Sequence, residues 1–205
     1  MFLSINRIQK GGDRTQTAPY SALNRILSVT KALVLQHGCK KTTLKEIISS
    51  SGVSNGGVYH YVKSKDEIYG LILQKRLEQI DERFYREAEM NLEGPVSIIV
   101  NELFGDTDDC RVFRSVYLYL VSQPENERIR PIIRDFYDYW LKLGSDWVRL
   151  GQKDGVIHPD LDPHQISSYI LSYYVGLLVN SAYVTDDAIF RQEPIIGFVK
   201  KLLQP

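Results

Sequence analysis

Residues 43–65 read T-L-K-E-I-I-S-S-S-G-V-S-N-G-G-V-Y-H-Y-V-K-S-K, and this stretch decides the fold. Thr43 followed by Glu46 is a capping box, so a helix is expected to open at Leu44. Ile47 and Ile48 give that helix an apolar side. Gly52 stands where a helix ends in the left-handed conformation. Ser54 is then a fresh N-cap, and Val58, Tyr61 and Val62 form the apolar stripe of a second short helix. Ser64 with Glu67 opens a third. Two short helices joined by a tight glycine-containing turn have the layout of a helix-turn-helix. In that layout the first helix crosses a DNA backbone and the second enters the major groove.

Upstream, Ile26, Leu27, Thr30, Leu33 and Val34 recur at helical spacing, which predicts a helix from Ser21 to Gly38. Its stripe must pack on the two helices that follow, since none of the three buries a face alone. Cys39 to Thr42 connects them and sets Lys40 and Lys41 where they can touch phosphate. Residues 1–20 hold Gly11, Gly12, Arg7, Lys10 and Arg14 with little periodicity. They read as a mobile arm that either stays disordered or reaches the duplex as basic arms do.

Downstream, a long helix is expected from Ser64 to about Met90, with a break at Gly94-Pro95. Helices over Pro95–Phe104 and Asp109–Ser122 follow, then a long helix with Pro131 in its first turn that runs to about Asp154. Asp162, Pro163 and Gln165 make the N-cap, first helical residue and capping box of a helix reaching about Val184. Asp186 and Asp187 are expected in a turn, and Pro194 opens a last helix ending at Leu203. No strand alternation and no repeat is visible, so the fold class is all-α. The expected division is an arm over 1–20, a three-helix DNA-binding domain over 21–66, and a helical domain over 67–205.

The formal net charge of zero hides a split. Residues 1–76 carry twelve lysines and arginines against four acids, a net of +8, and residues 77–205 carry thirteen against twenty-one, a net of −8. A basic front joined to an acidic rear points to polyanion binding by the front. No apolar run approaches the roughly 20 residues of a membrane span. The opening Met1-Phe2-Leu3-Ser4 is too short for a signal peptide. A cytoplasmic protein without membrane contact is expected. Cys39 and Cys110 lack ligand-like spacing and read as free thiols. His37, His60, His158 and His164 are scattered, and Asp160 and Asp162 sit in a capping sequence. No nucleophile or nucleotide fingerprint is present. Catalytic residues, a metal site and a cofactor are therefore not expected, which leaves a helical enzyme as a weak alternative. A non-specific DNA-binding protein is the other.

G-V-S-N-G-G-V-Y-H-Y-V-K-S-K (52–65), with the lead-in A-L-V-L-Q-H-G-C-K-K-T-T-L-K-E-I (32–47), resembles the signature of the TetR family of bacterial transcriptional regulators over roughly Leu23 to Ile72. Two positions depart from the common form. Val62 stands where Phe is frequent, and Gly57 stands where Thr, Ala or Ser is frequent. The glycine removes a base-contacting side chain and lowers helix propensity by up to ~1 kcal/mol. The resemblance implies a repressor that binds a near-palindromic double-stranded operator as a homodimer and is released by a small-molecule effector bound in the rear domain.

The expected DNA-binding residues are Thr43, Lys45, Ser54, Asn55, Gly56, Gly57, Tyr59, His60, Tyr61 and Lys65. Lys45, Lys65, the hydroxyls of Tyr59 and Tyr61 and the helix start after Ser54 are assigned to phosphates, which fix register without reading sequence. Asn55 is assigned to a base edge, since an amide pairs bidentately with adenine. His60 and Lys45 are further candidates, and Gly56 and Gly57 offer a flat surface for close approach. In the rear, aromatic residues recur at helical spacing, and Tyr117, Trp140 and Tyr173 are expected to line a ligand pocket for an amphipathic or aromatic effector. Glu102 or Asp138 would suit a cationic ligand, and Arg111 or Arg114 a carboxylate. The last two helices carry more apolar residues than one core-facing stripe needs, among them Ile170, Val175, Ile196, Phe198 and Leu202. Gly176 and Ser172 allow close approach there. The family resemblance implies a two-fold dimer through these helices as a four-helix bundle.

Overall fold

A computed structural model describes residues 17–87, 93–184 and 190–204. Among them every regular element is helical: α1 (Thr17–Lys41), α2 (Leu44–Ser51), α3 (Asn55–Tyr61), α4 (Lys65–Glu87), α5 (Glu93–Phe104), α6 (Asp108–Val121), α7 (Ile129–Lys153), α8 (Pro163–Asn180) and α9 (Gln192–Leu203). None of these helices is long and apolar enough to cross a membrane. Residues 1–16 of the expected arm, Met90 and the turn at Asp186 and Asp187 lie outside the described residues, while Thr17–Tyr20, expected in the arm, belong to α1.

The chain forms two compact units. The first holds the described residues through Leu73 together with Ser115–Asp135. The second holds Gln74–Arg114 and the described residues from Phe136 onward. The expected division after residue 66 falls inside the first unit. Helices α4, α6 and α7 each begin in one unit and continue into the other.

In the first unit α1 packs on α2 and α3. Ile26, Val34, Ile47, Val58, Val62, Ile68 and Leu73 form its core. Gly38 breaks the helical path inside α1 at φ 83°, as its position at the end of the apolar stripe predicts. Thr43 accepts from Glu46 N at 3.2 Å, and Gly52 closes α2 at φ 63°. Only half of the capping box forms, because the Glu46 carboxylate lies 3.3 Å from His37 Nε2 instead. Gly70 inside α4 has a packing reason: a Cβ there would come within 2.6 Å of Ile132 Cγ2.

In the second unit α5 packs on α9. Leu103, Phe113, Trp140, Leu171, Leu178, Ile195 and Val199 are buried. Asp162 accepts from Gln165 N at 2.7 Å and Pro163 opens α8, as expected, but the helix stops at Asn180 rather than Val184. Gln152 Nε2 donates to the carbonyls of His158, Pro159 and Leu161, and His158 N donates to Leu203 O at 2.9 Å. These bonds hold the α7–α8 connection against the end of α9. The buried Glu102 carboxylate accepts from Arg76 at 2.7 Å and from Arg83. Removing one partner of such a buried pair strands the other charge. Glu102→Ala is therefore expected to lower stability in urea unfolding by about 3 kcal/mol. Lys142→Ala, which breaks an exposed i,i+4 pair with Asp146, should leave the unfolding midpoint nearly unchanged.

Candidate nucleic-acid interface and ligand cavity

The nucleic-acid candidate is built in the first unit from α2, its turn and α3. Ser54 Oγ accepts from Gly57 N at 3.2 Å, an N-cap that opens α3 at Asn55. Val58 and Val62 are buried at 0% and 1% exposure and root the helix. That rotation leaves Asn55, Gly56, Tyr59 and His60 exposed on the other side. A Cβ on Gly56 would meet nothing within 4 Å, so its face is open. A Cβ on Gly57 would stand 2.9 Å from Val53 Cγ1, so this glycine also serves the close turn behind the helix. Tyr61 is half-buried, with its ring edge-on to His60 at 5.3 Å. Thr43 and Lys45 are exposed at the start of α2, and Lys40, Lys41 and Lys63 are exposed nearby in sequence.

Lys65 stands apart from this set. Its ammonium donates to the carbonyls of Cys39 and Thr42, each at 2.9 Å, and to that of Lys40 at 3.4 Å. It also lies over the rings of Tyr69 and Tyr119, 5.9 and 5.2 Å from their centroids. Buried Tyr69 donates its hydroxyl to the same Cys39 carbonyl at 3.0 Å. The residue assigned from sequence to a phosphate is thus bonded inside the domain, where it caps the end of α1. Its partner Tyr119 comes from α6, more than fifty residues away in sequence, and no local pattern announces it. Burial pushes the carboxyl of the neighbouring Asp66 above its usual range, against the lowering effect of Lys65.

The second unit contains a largely apolar cavity with about 820 Å³ of free space counted to its open mouth. Phe84, Trp140, Trp147, Ile170, Leu171 and Tyr174 are among its walls. Trp147 is fixed by stacking on Phe84 at 4.8 Å and by donating its indole N–H to Asp81 at 2.9 Å. Of the three residues expected to line a pocket, Trp140 does so. Tyr173 lies against Phe198 at 4.7 Å, and its neighbour Tyr174 takes the wall. Tyr117 is buried in the first unit. None of the charged ligand partners considered from sequence borders the cavity. Glu102 is held by its arginines, Arg111 pairs with Asp108, and Arg114 donates to the carbonyls of Leu103 and Gly105.

The model of the bacterial regulatory proteins of the tetR family matches residues 26–72, the stretch that builds this helix-turn-helix. Beyond that stretch, the chain is 27% identical to an uncharacterized HTH-type transcriptional regulator, YfiR of Bacillus subtilis, over 79% of its own length and 80% of the relative's. The chain carries the DNA-binding segment of the tetR family over residues 26–72. It is also 25% identical to the HTH-type transcriptional repressor KstR2 of Mycolicibacterium smegmatis, over 76% of this chain and 77% of that one. The solved structure of Salmonella enterica GusR shares the fold at a TM-score of 0.67, with 19% identity, 93% of this chain and 99% of that one covered. TetR-family proteins are transcriptional regulators rather than enzymes, and they bind DNA as dimers.

The two exposed-looking lysines of the DNA-binding unit should separate on testing. Lys65→Ala removes a charged donor from three carbonyls and is expected to lower stability by about 2 kcal/mol in urea unfolding, as well as weakening DNA binding. Lys45→Ala should weaken binding alike for all sequences and reduce the salt slope by roughly one ion per subunit, with the unfolding midpoint unmoved.

Proposed function

We propose that this chain is a ligand-released transcriptional repressor that binds a near-palindromic operator as a homodimer. The observation that carries the reading is the α3 start: a capped, rooted helix whose exposed first turn presents Asn55 beside the open face of Gly56. Recognition helices meet base edges with their N-terminal residues. Asn55 is the one side chain longer than a hydrogen in that turn, so it reads a base, with His60 one turn further on. Lys45, Tyr59, Tyr61 and the helix start hold the phosphates.

The dimer forms through α8 and α9. Tyr169 and Val179 on α8 and Phe198 and Leu202 on α9 are 59%, 37%, 48% and 38% exposed. Cβ atoms on Gly176 and Gly197 would meet nothing within 4 Å, which leaves room for a partner backbone. An effector in the cavity of the second unit releases the operator by binding the released state better than the DNA-bound one.

Binding-site selection on randomised DNA tests the reading. Wild type is expected to select an inverted repeat, and Asn55→Ala to lose discrimination at one symmetric pair of positions, by roughly 1–3 kcal/mol, with non-specific affinity little changed. Identical motifs from the two proteins would remove Asn55 from base reading, and no selected motif at all would favour a non-specific binder. Phe198→Glu is expected to shift the protein from dimer to monomer in sedimentation and to abolish operator binding at nanomolar concentrations.

A further inference from the structure

The walls of the cavity in the second unit specify a class of occupant. Among the described residues that line it there is no lysine, arginine or histidine, and the single carboxylate, Asp154, is exposed. The polar atom of Trp147 is committed to Asp81. Two hydroxyls also line it. Ser167 is 6% exposed, and its Oγ has no hydrogen-bond partner among the described residues. Tyr174 is 3% exposed and lines the same cavity. The two residues stand seven apart on α8 and so share one helix face. Burial pushes the Tyr174 phenol well above its usual range, so it remains an O–H donor at neutral pH.

An unpaired buried hydroxyl is unfavourable, and a bound oxygen that pairs with it recovers that loss. A carboxylate, phosphate or ammonium entering the same walls would give up its hydration with no opposite charge in return. We propose that this cavity selects uncharged, mainly apolar molecules that carry one hydrogen-bonding oxygen, such as an alcohol or a ketone, and rejects the ionised forms of the same carbon skeleton. Ser167 and Tyr174 hold the oxygen, and the rings hold the skeleton. The inference rests on the cavity being a ligand site, as the proposed function requires.

The chain supplies its own probe, because both of its tryptophans, Trp140 and Trp147, border the cavity. Tryptophan fluorescence of the full-length protein is titrated at pH 8 with two skeletons, a linear decyl chain and a fused decalin ring. Each carries a hydroxyl, a carboxylate or an ammonium group. The alcohols are expected to change the emission saturably, with the carboxylates and ammonium compounds at least ~100-fold weaker. Ser167→Ala and Tyr174→Phe, which keep the shape of the walls, should each weaken the alcohols about three- to tenfold while leaving decane and decalin unchanged. If a carboxylate or ammonium compound binds as tightly as its alcohol, the selectivity is refuted and the ligand site stands. If both variants bind alcohol like wild type, the assignment of the oxygen to these hydroxyls is refuted. If no compound of either skeleton changes the emission, the cavity is not a ligand site and both readings fall.

Discussion

The Lys65 ammonium fixes the DNA-binding unit. Helix ends leave carbonyls without partners, and α1 ends in such a set at Cys39, Lys40 and Thr42. Lys65, at the first turn of α4, supplies the donors, and Tyr69 one turn later bonds the Cys39 carbonyl again. All of α2 and α3 lies between these anchors, since Thr42 and Lys65 are 23 residues apart. The helix-turn-helix is therefore a segment whose two ends are tied to each other. Its internal turns have only to set the rotation of α3, which the caps at Thr43 and Ser54 and the left-handed Gly52 do. The ring of Tyr119 over the ammonium makes α6 part of this clamp.

The second unit solves a different problem. Among the described residues its buried charge is confined to one cluster, Glu102 between Arg76 and Arg83, with Cys110 Sγ 3.1 Å from Arg76 Nη2. Elsewhere rings and aliphatic chains meet, and two glycines of α7 let neighbours come close. A Cβ on Gly144 would lie 3.2 Å from Ser167 Cβ, and one on Gly151 would lie 2.5 Å from Ile157 Cδ1. Both glycines border the cavity, so its walls are set by backbone proximity as much as by side-chain size. Confining the charges to one cluster leaves the cavity apolar.

How much of this was legible in the sequence follows from the range of each signal. The caps were legible because a cap is a three-residue event, and Thr43, Ser54, Ser64 and Asp162 each accept from the backbone N–H three residues on. The helix order and the open first turn of α3 follow from the same local rules. Lys65 was not legible, because a lysine beside a recognition helix reads as a phosphate contact until the carbonyls of a distant helix end are placed next to it. Tyr173 and Tyr174 are adjacent on α8, about 100° apart around the axis, and a helix apolar on several sides gives periodicity no means of choosing between them. Tyr117 failed for a similar reason: it is an inward residue of α6, but on the part of α6 that belongs to the first unit. The unit boundary itself depends on Tyr119 and Ile132 reaching back to Lys65 and Gly70, and no window on the sequence contains both sides of those contacts.

The most direct measurement is operator affinity with the cavity filled and empty. A labelled operator obtained by selection is titrated with protein in fluorescence anisotropy, with and without a compound that saturates the tryptophan response. A repressor released by its ligand predicts that operator affinity falls at least ~5-fold, and that operator DNA weakens the compound by the same factor. Unchanged operator affinity with the tryptophan response fully saturated would contradict it.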